Sequence, residues 1–275
     1  MRVAVCFFGL VGGKSGKNGA GDPVDPKVAC EYYKKHIFDV NDEVDVFMHS
    51  WSVEKANELL EIYKPKKYVI EPQRSFFQSI FHPKMWSPVF ITVAKVKMVV
   101  KLLLCKFFKP VVYKEMMSTK YEEAFRAYSR WYSAKQTVAL KKKYEDEQGF
   151  TYDAVMITRF DVGFFSDLDF KKYDLDYFYV SHWNSLPLEG QSIESADLIN
   201  QYEGKRLIDF WFFSNSENMD KFSELYDKLE EYSIDVHYAS KQHVDRVIGA
   251  NKIRYTLYRW FDYESIRLKM LKSKE

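Results

Sequence analysis

Short unbroken apolar runs and longer helix-periodic stretches alternate along this chain. Ala154–Val155–Met156–Ile157 is uninterrupted, as suits a strand buried on both faces of an α/β sheet. The opening run RVAVCFFGL, Arg2 to Leu10, reads as a first buried strand, not a signal peptide, because a glycine-rich polar loop follows it instead of a small-residue cleavage site. Val44 to Met48, Lys67 to Glu71, Tyr177 to Val180, Leu207 to Phe213 (LIDFWFF) and Lys252 to Tyr258 add further strands. Helices are expected from Pro26 to Phe38, from Ser52 to Tyr63, from Thr119 to Gln148 with Gly149 as the stop, from Glu217 to Tyr232, and from Lys241 to Gly249. Thr119 with Glu122 has the spacing of a capping box, and Tyr121, Phe125, Tyr128 and Tyr132 form one aromatic stripe on that long helix. Strand–helix–strand alternation near the start predicts a Rossmann-like, mainly parallel sheet flanked by helices.

The segment from about 72 to 113 breaks the pattern and is expected to be a helical insertion within a single domain spanning 1–275. Phe90 to Phe108 is apolar but interrupted by Lys95, Lys97, Lys101 and Lys106, too often for a membrane-spanning helix. It is either a buried helix with snorkelling lysines or a helix lying on an anionic membrane surface, where the basic tail Arg267, Lys269, Lys272 and Lys274 would assist.

Composition narrows the function classes. Lys and Arg total 41 against 39 acidic residues, so no global field argues for a nucleic-acid partner and any anion site must be local. The 3 cysteines, Cys6, Cys30 and Cys105, form no Cys-x-x-Cys pair and read as buried free thiols in a reducing, cytoplasmic compartment.

Candidate chemistry gathers where apolar runs stop. Arg159 and Asp161 lie just past the central strand, where a parallel sheet opens its ligand crevice. A carboxylate there can hold a divalent metal on a diphosphate, and a guanidinium can fork onto phosphate oxygens; the plain alternative is a surface ion pair closing a strand. The loop after the first strand, with Gly12, Gly13, Lys14 and Lys17, matches no Walker A register yet suits close approach to a diphosphate, unless it is an ordinary solvated loop. His49 and Trp51 end the second strand and are candidates to sandwich a nucleobase, or else core residues. Asp209 stands alone in apolar LIDFWFF, as a general base or a hydrogen-bonded structural acid. Asp167 and Asp169 are expected to cap a turn rather than bind metal.

VAVCFFGL with its glycine-rich loop, DVFMHSW, the long helix before YDAVMITRFDVGFF, and DFWFFSNSENMDKF together resemble GT-A-like glycosyltransferases of bacterial and large-virus surface-polysaccharide pathways. The resemblance covers most of the chain outside 72–113 and rests on short motifs. It implies a nucleotide-sugar donor lying across the carboxyl ends of the strands, held near Gly9 and the Lys14–Lys17 loop, and a glycan or lipid-linked acceptor. It also implies a manganese or magnesium ion on an Asp-x-Asp motif. Here Arg159-Phe160-Asp161 stands in that place, so Asp161 would share the metal with a distant residue such as His243, or Arg159 would replace part of its charge. The alternatives are a sulfo- or phosphotransferase using the Gly/Lys loop, and a catalytically inactive sugar-nucleotide or glycan-binding module. Turnover of a sugar nucleotide, use of a sulfate or phosphate donor, or binding alone would separate the three.

Overall fold

The computed structural model describes residues 1–11, 25–76, 110–182, 204–259 and 261–266, and describes side chains of the long helix from residue 122 onward. The chain folds as β1 (Arg2–Gly9), α1 (Pro26–Tyr33, continued by a π-helical turn Lys34–Phe38), β2 (Glu43–Ser50), α2 (Ala56–Tyr63) and β3 (Lys67–Ile70). It continues through α3 (Pro110–Gln148), β4 (Ala154–Arg159), β5 (Val162–Phe164), β6 (Phe178–Val180), β7 (Trp211–Ser214), α4 (Ser216–Ser223), α5 (Val236–Val244), β8 (Ile253–Tyr255) and β9 (Tyr263–Ser265).

A 7-stranded sheet runs in the order β3-β2-β1-β4-β7-β6-β8. β7 is antiparallel to both its neighbours, and every other pairing in this sheet is parallel. The strand order turns between β1 and β4, where consecutive crossovers depart to opposite sides, the position at which open α/β sheets commonly bind ligands at the carboxyl ends of their strands. The α/β, mainly parallel arrangement expected from the sequence is present. Side chains alternate across β1 into separate cores. Ala4, Cys6 and Phe8 pack with Trp131 and Val138 of α3 and Phe222 of α4, while Val3, Val5 and Phe7 pack with Tyr33 of α1 and with Leu59 and Tyr63 of α2. Buried on both faces, the strand needs the continuous apolar sequence it has.

Local chemistry explains the element ends. The Asp25 side chain accepts from the Lys27 amide at 2.9 Å while Pro26 supplies a fixed φ in the first turn of α1. Asn215 caps α4 through the Asn218 amide at 2.9 Å, and Asp169 caps the short 3₁₀ turn Phe170–Lys172. Asp167 reaches Nδ1 of His36 at 2.7 Å. Gly149, at φ 70°, stops α3 as its sequence position suggests.

Several expectations need correction. The long helix begins at Pro110, ahead of Thr119, because a proline fits a first helical position better than an interior one. Residues 110–113 therefore belong to α3, residues 72–76 are irregular rather than helical, and 77 to 109 of the expected insertion lies outside the described residues, as does the basic tail. LIDFWFF is a strand only from Trp211: the Leu207 amide donates to the His237 carbonyl at 3.1 Å, drawing the chain toward α5. The small antiparallel β5–β9 sheet was not expected, its strands being only 3 residues each. Among the described residues no helix is long and apolar enough to cross a membrane. Cys6 is buried and Cys30 half-buried, both free thiols, with burial pushing each up, to about 12 and about 11; Cys105 lies outside the described residues.

Candidate active site

β4 carries Arg159 to the carboxyl edge of the sheet, opposite Phe8 of β1. Tyr33 of α1 donates its hydroxyl to the Arg159 carbonyl at 2.7 Å, and the Arg159 amide donates to Phe210 at 3.2 Å, so the strand end is fixed from two sides. The chain then turns through Phe160 and Asp161 into β5, where the Ile266 amide after β9 donates to the Asp161 carbonyl at 2.9 Å. The small sheet thus clamps the backbone of Asp161.

Arg159 and Asp161 form a two-pronged ion pair: Nε reaches Oδ1 at 2.7 Å and Nη2 reaches Oδ2 at 2.5 Å. Ser265 Oγ donates to the same Oδ2 at 3.4 Å. The Arg159 guanidinium lies 4.8 Å from the centre of the Phe210 ring, and Arg259 lies 5.4 Å from the same centre while forking onto Glu264 at 2.9 to 3.1 Å. Asp209, 4% exposed, is ion-paired with Arg130 of α3 and has Arg159 Nη1 at 4.0 Å. Arg206 lies 4.3 Å from the Tyr238 ring centre and 3.9 Å from Asp235.

His237, in the first turn of α5, completes the cluster. Its Nδ1 is 2.9 Å from the Leu207 carbonyl, which can only accept, so Nδ1 carries the proton; the same nitrogen is 3.8 Å from Asp209 Oδ1. Burial foremost, then the Arg130 charge, lower its pKa to about 4, and the imidazole is neutral at pH 7.

The expected residues divide clearly. Arg159, Asp161 and Asp209 are brought together. Asp209 is not in apolar company within a strand, as LIDFWFF suggests; it precedes β7 and faces guanidinium groups. Gly9 ends β1 at φ 99°, a conformation that favours glycine, and its amide donates to Ser133 Oγ at 2.8 Å. Gly12, Gly13, Lys14 and Lys17 lie outside the described residues. His49 and Trp51 do not present faces to a nucleobase, because α3 covers them. Trp51 stacks on Tyr132 with ring centres 5.6 Å apart, and fully buried His49 meets Ser133 at 2.8 Å and Glu71 at 3.2 Å. His243 is fully buried with Nδ1 at 3.1 Å from the Tyr232 hydroxyl and Nε2 at 2.9 Å from the Lys221 carbonyl, so both nitrogens serve the core rather than a metal shared with Asp161.

The donor set at Asp161 does not suit a divalent cation. Both of its carboxylate oxygens are engaged by Arg159, and the described residues contain no group of three or more His, Cys, Asp or Glu able to hold a metal ion. What the edge offers is fixed guanidinium charge. Sequence reasoning missed Arg130, Arg206, His237, Arg259 and Glu264. The available signals were weak: a lone arginine beside an aromatic stripe, and the Ser-x-Asp-x-His spacing at Ser233, Asp235 and His237 that opens α5. No family model matches the chain, and no curated protein matches it.

Proposed function

We propose that this sheet edge binds the diphosphate of a nucleotide sugar, and that the protein is a glycosyltransferase of GT-A-like fold acting on a glycan or lipid-linked hydroxyl. The observation that carries the reading is the group Arg159, Asp161, Asp209 and Arg130 set at the carboxyl end of β4, beside the turn in strand order. Arginine forks match phosphate oxygens in geometry and stay charged, and carboxylates that hold them in place keep their rotamers fixed before the ligand arrives. In transfer, charge grows on the leaving diphosphate, and prepositioned guanidinium groups stabilise it without reorganisation. Arg159 and Arg130 supply that charge here; no step is assigned to a metal.

Thermal shift with UDP-, GDP- and CMP-sugars, with and without manganese, tests the reading, since a ligand selective for the folded state raises its apparent stability. Stabilisation by one nucleotide class and release of its nucleoside phosphate are expected, both surviving EDTA. A chain that neither binds nor turns over any of them is not a glycosyltransferase. One observation favours a second reading, a sugar-nucleotide-binding module without turnover: Asp161 and Asp209 are both ion-paired to arginine. Binding without release of the nucleoside phosphate would establish it.

A further inference from the structure

We infer that Phe210 is the positioning residue of the diphosphate site proposed above, on which this inference rests: it holds Arg159 by both the backbone and the guanidinium. The Arg159 amide donates to the Phe210 carbonyl at 3.2 Å, and the Arg159 guanidinium carbon lies 4.8 Å from the centre of the Phe210 ring. Thr158 Oγ1 donates to the same carbonyl at 3.4 Å. Phe210 immediately precedes β7, the antiparallel neighbour of β4, so strand pairing brings it alongside the end of β4. Its half-buried ring meets Tyr263 of β9 edge-on with centres 5.6 Å apart, which fixes the ring in turn.

Two restraints act on the Arg159 guanidinium in different directions. The fork from Nε and Nη2 onto Asp161 sets the edge of the plane, but two bonds along one line leave the group free to tip about that line. The negative face of a ring beside it opposes the tipping. Arg259 uses the same ring, at 5.4 Å, and forks onto Glu264. Two cations at one ring would repel each other, and each has its own carboxylate. Those carboxylates are tied together by the small sheet: Asp161 leads into β5, Glu264 lies in β9 opposite Gly163, and Ser265 Oγ donates to Asp161. An arginine restrained in this way has little freedom left to lose when it meets a phosphate. A leucine at 210 would keep apolar bulk and the backbone carbonyl, and would lose the ring face.

Isothermal titration of the full chain at low salt tests this, with UDP, GDP and inorganic pyrophosphate as ligands, the last carrying neither base nor sugar. For whichever ligand the wild type binds, Phe210→Leu is expected to weaken affinity by about 3- to 30-fold, and Phe210→Tyr, which keeps the ring face, by less than about twofold. In an Arg159→Lys background Phe210→Leu should cost little more, because it acts through that guanidinium; a purely structural role would give losses that add. Urea midpoints show that each variant is folded, and Phe210→Met replaces Phe210→Leu if the leucine variant is not. Wild-type affinity in the folded variant, or a loss that adds to that of Arg159→Lys, overturns the positioning role and leaves the nucleotide-sugar reading standing. Binding of pyrophosphate alone overturns the nucleotide-sugar reading, and the Phe210 variants are then judged on pyrophosphate. If the wild type binds none of the three, both fall.

Discussion

One face of α3 carries ions to opposite ends of the sheet, and the clusters they build differ in kind. Lys141 follows Arg130 by about three turns, roughly 16 Å along the axis. Lys141 is fully buried near the end of the helix, meeting Glu145 at 2.9 Å, Asp220 at 2.6 Å and Ser216 Oγ at 2.5 Å. Glu145 in turn accepts from the Ser216 hydroxyl at 2.7 Å and the Tyr152 amide at 2.9 Å. This network staples α3 to α4 and to the start of β4. At the other end, Arg130 and Arg159 share Asp209, and Arg259 shares the Phe210 ring with Arg159. The Lys141 cluster pairs one cation with two acids, whereas the edge cluster matches its guanidinium groups with carboxylates one for one, Arg159 with Asp161, Arg130 with Asp209 and Arg259 with Glu264. The two clusters differ in cation type, in charge ratio and in the edge of the sheet they occupy.

The sharpest way to break the comparison is at Lys141. Lys141→Met leaves Glu145 and Asp220 without their cation and is expected to cost about 3 to 5 kcal/mol, read as a lower urea midpoint at unchanged slope. Restoring neutrality with Glu145→Gln and Asp220→Asn in the same chain should return much of the loss, because the penalty comes from uncompensated buried charge. A Lys141→Met protein of wild-type stability would show that the network is no staple.

At the other end a substitution should act on binding first. Arg159→Lys keeps a charge but loses the fork, and is expected to weaken binding of a nucleoside diphosphate such as UDP by about 1.5 to 3 kcal/mol at low salt, with a smaller effect on the urea midpoint. Isothermal titration at two salt concentrations checks it. Equal affinity in the variant would make Arg159–Asp161 a structural clasp, the counterpart of Lys141 rather than its opposite.

This contrast also explains what the sequence made legible. β1 and β4 are continuous apolar runs because both faces are covered, and local pattern suffices to find them. Arg159 and Asp161 were found by the same logic, since they stand where the run of β4 stops. The rest depends on contacts between distant segments. Trp51 and His49 look like ligand residues at a strand end until α3 is laid across them. Arg130 lies off the aromatic stripe, and nothing within one helix tells that its tip meets Asp209. His237 precedes the helix expected from Lys241; α5 in fact starts at Val236, with Asp235 accepting from the His237 and Tyr238 amides at 2.9 and 3.1 Å. Phe210 was read as strand interior, although its carbonyl accepts from Arg159 and its ring meets two guanidinium groups.

The smallest expected effect is on the pH dependence of stability, and it separates the clusters by sign. His49, His237 and His243 all have pKa values lowered, chiefly by burial. Below the unfolded value of about 6.5 the unfolded chain binds protons that the folded chain resists, so stability falls as pH drops from there toward the folded values, about 4 for His237. Asp220 of the Lys141 network acts oppositely. Burial raises its pKa, and its contribution improves as pH falls through that raised value and the group becomes neutral. Urea midpoints between pH 7.5 and 5 should therefore decline, with His237→Gln flattening the decline by up to about 1.4 kcal/mol per pH unit. Asp220→Asn should remove the opposing gain, which sets in only as pH falls through that raised value. If His237→Gln leaves the slope unchanged, the imidazole titrates alike in the folded and unfolded chain, and the guanidinium groups around it do not set its charge.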